Sequence, residues 1–159
     1  MTKTKVLRIG DFKGKEAKRF RKKGCLAWSI DLNPDFENEF IYKMSAENLD
    51  FKDNFFDIVY MSHVIEHIPV TELRKVAEEI ERVCKIGGSI EIVTPVFNNM
   101  FWDDPTHIRP HNKWSIQSLF RNCKMIKNFK EVRIKHLWGL KRMNELIVVL
   151  EKSKNVLCK

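Results

Sequence analysis

The residues with the greatest capacity for chemistry fall in two clusters. In the first, His63, Glu66 and His67 are spaced so that the two histidines stand four apart. That spacing can hold a metal ion on one face of a helix. No nearby third ligand is assured, so His67 reads as a satisfied, partly buried histidine and no metal is expected. The second cluster is Trp102-Asp-Asp-Pro-Thr-His-Ile-Arg-Pro-His111. Here Asp104 or His107 could take a proton near neutral pH, and Arg109 could clamp an anionic group. The same residues also suit a rigid loop in which Asp104 caps a turn and pairs with Arg109.

A third concentration is electrostatic. Seven of the eleven residues from Lys13 to Lys23 are basic, within a chain of net charge +8. Such a face attracts anions, nucleic acid among them, or is simply a solvated helix surface, with Phe20 its single aromatic residue. Cys25, Cys84, Cys123 and Cys158 are scattered without a Cys-x-x-Cys pair. Reduced, mostly buried thiols are expected, not a zinc knuckle or a disulfide framework.

These groups need elements to position them. At 159 residues, 43% apolar and 11% aromatic, the chain can fill one core. No repeat, linker or compositional shift divides it, so a single domain over residues 1–159 is expected. Apolar runs such as Leu146 to Leu150 are far shorter than the roughly 18–20 residues that cross a bilayer. The N-terminus has no signal-peptide core, and a cytoplasmic location is expected.

Lys5 to Ile9 reads as a buried strand ending at Gly10, and Lys13 to Lys23 as a helix closed by Gly24. Leu26 to Ile30 is a second strand, followed by Asp31 and the Asn33-Pro34 turn. Phe40 to Lys43 and Phe55 to Met61 follow as strands. Between Thr71 and Lys85, Leu73, Val76, Ala77, Ile80, Val83 and Cys84 recur at helical spacing, with Thr71 placed to cap the start and Gly87 to close the end. Ser89 to Thr94 is a strand, Trp114 to Cys123 a helix, and Glu131 to Leu137 and Glu145 to Glu151 are the last two strands. The alternation predicts a doubly wound α/β fold, its mostly parallel seven-stranded sheet covered by helices on both faces. Seven residues, Trp138 to Asn144, cannot make a parallel crossover, so the final strands must form an antiparallel hairpin.

At this point the chain resembles the class I, Rossmann-like, S-adenosylmethionine-dependent methyltransferases, particularly those acting on small molecules, lipids and sugars. The resemblance runs from about Lys5 to Glu151. It is strongest in Ala46-Glu-Asn-Leu-Asp-Phe-Lys-Asp-Asn-Phe-Phe-Asp-Ile-Val-Tyr-Met-Ser-His-Val-Ile-Glu-His-Ile68 and Arg82-Val-Cys-Lys-Ile-Gly-Gly-Ser89. It implies S-adenosylmethionine as cofactor. Asp31 would accept from both ribose hydroxyls, Gly10 and Gly14 would match the first and third glycines of the family's loop, and Ser45, Ala46 and Glu47 would lie at the adenine. Ser62 and His63 would line the site beneath the methyl group. Relatives carry Glu-His at positions 66 and 67 as a structural pair. Their Asp-Pro-Thr-His-x-Arg segments face the substrate, which implies acceptor contacts from Trp102, Arg109 and His111 and proton transfer by His107, Asp104 or His63.

The sequence departs from the family at three points. Arg8 replaces an acidic residue near the cofactor's amino acid end, Phe12 replaces the middle glycine, and Ser45 stands where relatives carry an aspartate. The resemblance implies a methyltransferase acting on oxygen or nitrogen of a small or glycan-like acceptor; the departures leave open a catalytically inactive binding or regulatory relative. A basic nucleic-acid-binding module is the third reading. The Asn/Asp-Pro-Pro-Tyr turn used on flipped bases is absent, which disfavours methylation of DNA bases. Without the helical extension that covers the cofactor in relatives, the pocket is expected to be open or completed by a partner subunit, such as a homodimer.

Overall fold

A computed structural model describes residues 2–98, 101–135 and 141–153. Its sheet is built from β1 (Lys5–Ile9), β2 (Leu26–Asp31), β3 (Ile41–Lys43), β4 (Phe56–Ser62), β5 (Cys84–Pro95), β6 (Cys123–Lys135) and β7 (Lys141–Lys152). The order across the sheet is β3-β2-β1-β4-β5-β7-β6. The first five strands run parallel, and β7 pairs antiparallel with both β5 and β6. This is the expected mixed sheet with its terminal hairpin. Strand order reverses between β1 and β4, so a cleft opens beyond their carboxyl ends.

Side-chain alternation assigns the two faces. Val6, Ala27 and half-buried Ile58 pack with Ala17 and Phe20 of α1 (Lys15–Lys22). Leu7, Ile9, Val59 and Met61 join the larger core with Leu73, Val76, Ala77 and Ile80 of α2 (Val70–Val83) and Ile116 of α3 (Lys113–Leu119). The buried positions of α2 are those its apolar spacing selects.

Several boundaries differ from expectation for local reasons. Pro69, not Thr71, is the N-cap of α2, its carbonyl accepting from Glu72 and Leu73. The helix ends at Val83, before Gly87, because Cys84 is already extended and pairs with Phe56. Gly87 then takes a φ of 77° within a register shift of β5. Asn122 closes the segment after α3, giving its backbone N–H and side-chain amide to Glu81 at 3.0 and 2.9 Å. That lets β6 begin at Cys123, eight residues before the Glu131 predicted from sequence. Residues 136–140 of the hairpin connection and Cys158 lie outside the described residues. Among the described residues, no helix is long and apolar enough to cross a membrane.

Candidate functional site

The cleft at the strand ends has a volume of about 270 Å³. Its apolar wall includes Ile9, Ile30, Leu32, Met44, Val64 and Ile68, and its polar wall Asp31, Ser45, Glu47, His63, His67 and Glu72, with Gly10 and Ala46 between. Asp31 ends β2; one carboxylate oxygen accepts from the Asn33 N–H at 2.9 Å, and its carbonyl accepts from Met44. The second carboxylate oxygen is therefore open to a ligand hydroxyl. Gly10 has φ 77°, and a Cβ there would stand 2.1 Å from Cγ2 of Val64. Only glycine allows both that backbone and that approach.

The first turn uses its residues differently from the family pattern. Asp11 is buried, and its carboxylate accepts from Ala17 at 2.8 Å and Glu16 at 3.3 Å, capping the positive end of α1. Gly14 is the left-handed N-cap of that helix, where a Cβ would meet Ile41 Cδ1 at 2.3 Å. It lies outside the cleft lining, as does Ser62. Arg8 is buried with its guanidinium 3.6 Å from the centre of the Tyr60 ring, and burial pushes its pKa down. Phe12 is 46% exposed. Neither side chain lines the cleft, so neither of the expected obstructions to a cofactor stands in it.

Beneath the cleft lies a charged cluster that sequence spacing does not reveal. His63 has φ 54°, uncommon for a non-glycine residue. Its N–H donates to the Val93 carbonyl at 2.9 Å, which fixes the crossing from β4 toward β5. Its Nδ1 lies 3.4 Å from Glu66 Oε1, and its Nε2 3.0 Å from Glu145 Oε1. Both carboxylates are buried. Glu66 first, and Glu145 second, hold the imidazole protonated above its usual range, against burial, which acts the other way. With both ring nitrogens facing carboxylates, His63 is placed as a counter-cation to Glu66 and Glu145.

Glu66 and His67 lie in a 3-10 turn, Ile65–His67. The Glu66 carbonyl accepts from Ile108 at 2.8 Å and from Arg109 at 3.4 Å, while its Oε2 accepts from Thr94 Oγ1 at 3.1 Å. The loop predicted to face a substrate is thereby tied to the cleft. Asp104 is exposed and caps a turn, accepting from the Thr106 N–H at 2.9 Å and its hydroxyl at 2.6 Å. Its ionic neighbour is His107, at 3.9 Å, in place of the expected Arg109. Thr106 hydrogen bonds hold the Asp104 carboxyl below the usual range. His107 reaches back so that its ring centre lies 4.9 Å from that of His67. Trp102 is exposed against the edge of Phe101, and Arg109 is half-buried. His111 is buried, and its imidazole is held below the usual range by burial first and Arg109 second. It lines a second hollow of about 520 Å³ with Val96, Phe97, Trp114 and Leu146.

The structure thus brings Gly10, Asp31, Ser45, Ala46, Glu47 and His63 together in the cleft and leaves Trp102, Asp104, His107, Arg109 and His111 on the adjoining loop. Sequence reasoning missed Glu145, which carries no local signal, and the capping role of Asp11, for which an acid just before a helix is the available signal.

Comparison with known proteins agrees with this architecture. Residues 7–92, more than half of the chain, match the family described as Methyltransferase domain. No curated protein matches the sequence. Among solved structures, a SAM-dependent methyltransferase from Archaeoglobus fulgidus superposes with a TM-score of 0.75 at 20% identity, covering 94% of this chain and 86% of that one. A putative sarcosine dimethylglycine methyltransferase from Galdieria sulphuraria gives 0.76 at 14% identity, covering 96% and 80%. The putative methyltransferase in complex with the Haloferax volcanii Trm112 activator gives 0.73 at 12% identity, covering 94% and 83%. With the strand order and the cleft at its reversal point already in hand, the match places this chain in the class I S-adenosylmethionine-dependent methyltransferase family.

Proposed function

We propose that the chain is an active methyltransferase that binds S-adenosylmethionine in the cleft and methylates oxygen or nitrogen of a small or glycan-like acceptor. The observation that carries this reading is Asp31, whose free carboxylate oxygen stands at the β2 tip between the Gly10 turn and the apolar Leu32–Met44 wall. A carboxylate here suits a ribose diol, and the apolar wall and the Ser45–Ala46 turn suit an adenine. These residues fit the adenosine part of the cofactor.

The bound cofactor would supply an electrophilic methyl group on a sulfonium. The protein's own task is then to align the acceptor and, for a hydroxyl or ammonium, to take a proton. His67 lines the cleft with Nδ1 committed to Thr106, which leaves Nε2 as the proton acceptor, supported by His107 and Asp104. The exposed rings of Phe97 and Trp114 at the His111 hollow, and of Trp102 on the acceptor loop, offer the flat apolar surfaces that suit sugar faces.

The basic segment supports nucleic acid binding less well. Arg21 donates to the Ala27 carbonyl at 2.7 Å, and Arg19 pairs with Glu16. Calorimetric titration with S-adenosylmethionine tests the main reading. Micromolar binding that weakens about 10- to 100-fold in Asp31→Ala is expected, since a charge-assisted hydrogen bond contributes roughly 1.5–3 kcal/mol. No heat at millimolar cofactor would favour the inactive relative.

A further inference from the structure

We propose that Glu66, His67 and His107 form a binding site for a divalent metal ion of the Zn²⁺ class, in the wall between the cofactor cleft and the acceptor loop. Their ligand-capable atoms all lie within 4.8 Å of one another. The hydrogen-bond pattern determines which ring nitrogens carry a lone pair. Thr106 commits its hydroxyl proton to Asp104, at 2.6 Å, so its oxygen can only accept from His67 Nδ1, 3.0 Å away. The Thr106 carbonyl, at 3.1 Å from the same nitrogen, is also an acceptor. His67 therefore carries its proton on Nδ1 and a lone pair on Nε2.

His107 repeats the arrangement: Nδ1 lies 2.6 Å from the Phe101 carbonyl, which fixes the proton there and leaves Nε2 a lone pair. A histidine whose second nitrogen is anchored to a backbone carbonyl is the usual support of a metal ligand. The third group is the Glu66 carboxylate. Its side chain is fully buried, and Oε1 has no hydrogen-bond partner. That oxygen lies 4.0 Å from His67 Nε2 and in charge contact with His63 Nδ1 at 3.4 Å. Three lone-pair atoms thus converge with no donor among the three, an arrangement that can take a cation in addition to the His63 imidazolium that faces Oε1.

Two imidazoles and one carboxylate are a borderline donor set, suited to Zn²⁺ over Mg²⁺ or Ca²⁺. Around one ion at about 2.1 Å, tetrahedral ligand atoms stand about 3.4 Å apart, so the widest gap must close by roughly 1.4 Å, which side-chain torsions can supply. Three protein ligands leave a coordination position open. The ion deepens the proposed reaction and rests on it: with the His67 lone pair on the metal, an acceptor hydroxyl at the open coordination position would have its pKa lowered and would lose its proton to solvent, which points to an oxygen acceptor.

The test uses the whole chain, stripped of metal, titrated with Zn²⁺ against a chromophoric chelator in the absence of cofactor. One tight equivalent is expected, weakened at least about 100-fold in both His67→Ala and His107→Ala, with folding checked by circular dichroism. Co²⁺ should shift the ring protons of His67 and His107 in the unmodified protein, a readout independent of whether the variants fold. Unchanged Zn²⁺ affinity in both variants would place the ion elsewhere and overturn the site, as would unshifted His67 and His107 signals or no binding at all. Because no cofactor is present, failure here is distinguishable from failure to bind S-adenosylmethionine.

Discussion

His63 Nε2 stands 3.0 Å from Oε1 of Glu145, a residue 82 positions further along the chain. The contact joins the exit of β4 to β7 beneath the cleft. Because its partner carboxylates raise the folded pKa of His63 above the ordinary 6.5, the imidazolium stabilises the fold fully below that value and progressively less as pH rises through the folded pKa. Urea unfolding should therefore give a midpoint that declines as pH is raised above about 6.5, and His63→Asn, which tolerates the left-handed backbone, should flatten that slope. At pH 6 the same variant should lose about 3–5 kcal/mol, as for breaking a buried ion pair. An identical slope in wild type and variant would refute the assignment.

Gly10 and Val64 are interlocked. Gly10→Ala imposes a left-handed backbone cost of about 1–2 kcal/mol and an overpacking cost of about 1–3 kcal/mol, because a valine side chain cannot rotate freely away. Adding Val64→Ala should recover the overpacking part only. Equilibrium denaturation of the four proteins of this cycle measures both parts, and additivity would show that the two residues do not touch.

Arg82 holds the segment after the Ser45–Glu47 turn. Its guanidinium donates to the Leu49 and Phe51 carbonyls and to Asp53, each at 2.7 Å, while Nε and the second amino group engage Glu79. Lysine cannot span these acceptors. Arg82→Lys should cost about 1–3 kcal/mol and raise amide exchange in residues 47–54. Exchange unchanged there would mean that the loop keeps itself in place.

Thiol labelling should separate the described cysteines. Burial pushes the Cys84 thiol up to about 12 and that of Cys123 higher still. Cys25 is half-buried. A disulfide reagent under native conditions should modify Cys25 well before the other two, read by peptide mass spectrometry. Early labelling of Cys84 would contradict the burial described here.

Periodicity makes the α/β alternation legible: β1 begins and ends where its apolar run does, and every expected helix forms. The start of β6 is not legible, because Lys124, Lys127 and Lys130 give an edge strand the composition of a loop, and only pairing with β7 identifies it. The cleft residues follow from the glycine turn and the strand-end aspartate. The charged floor does not, since nothing in the sequence near Glu145 says that it will meet His63, and nothing near Glu66 says that it will be buried.

Glu66 also fastens three segments, the β4 exit through His63, the end of β5 through Thr94, and the loop carrying His107 through its own carbonyl. The cleft and the loop are therefore not independent compartments. A ligand that orders the loop also sets the carboxylate under the cleft, and thermodynamic reciprocity requires the cleft's occupant to favour the loop by the same free energy. Under the proposed function, this wiring makes the two substrates effectors of one another.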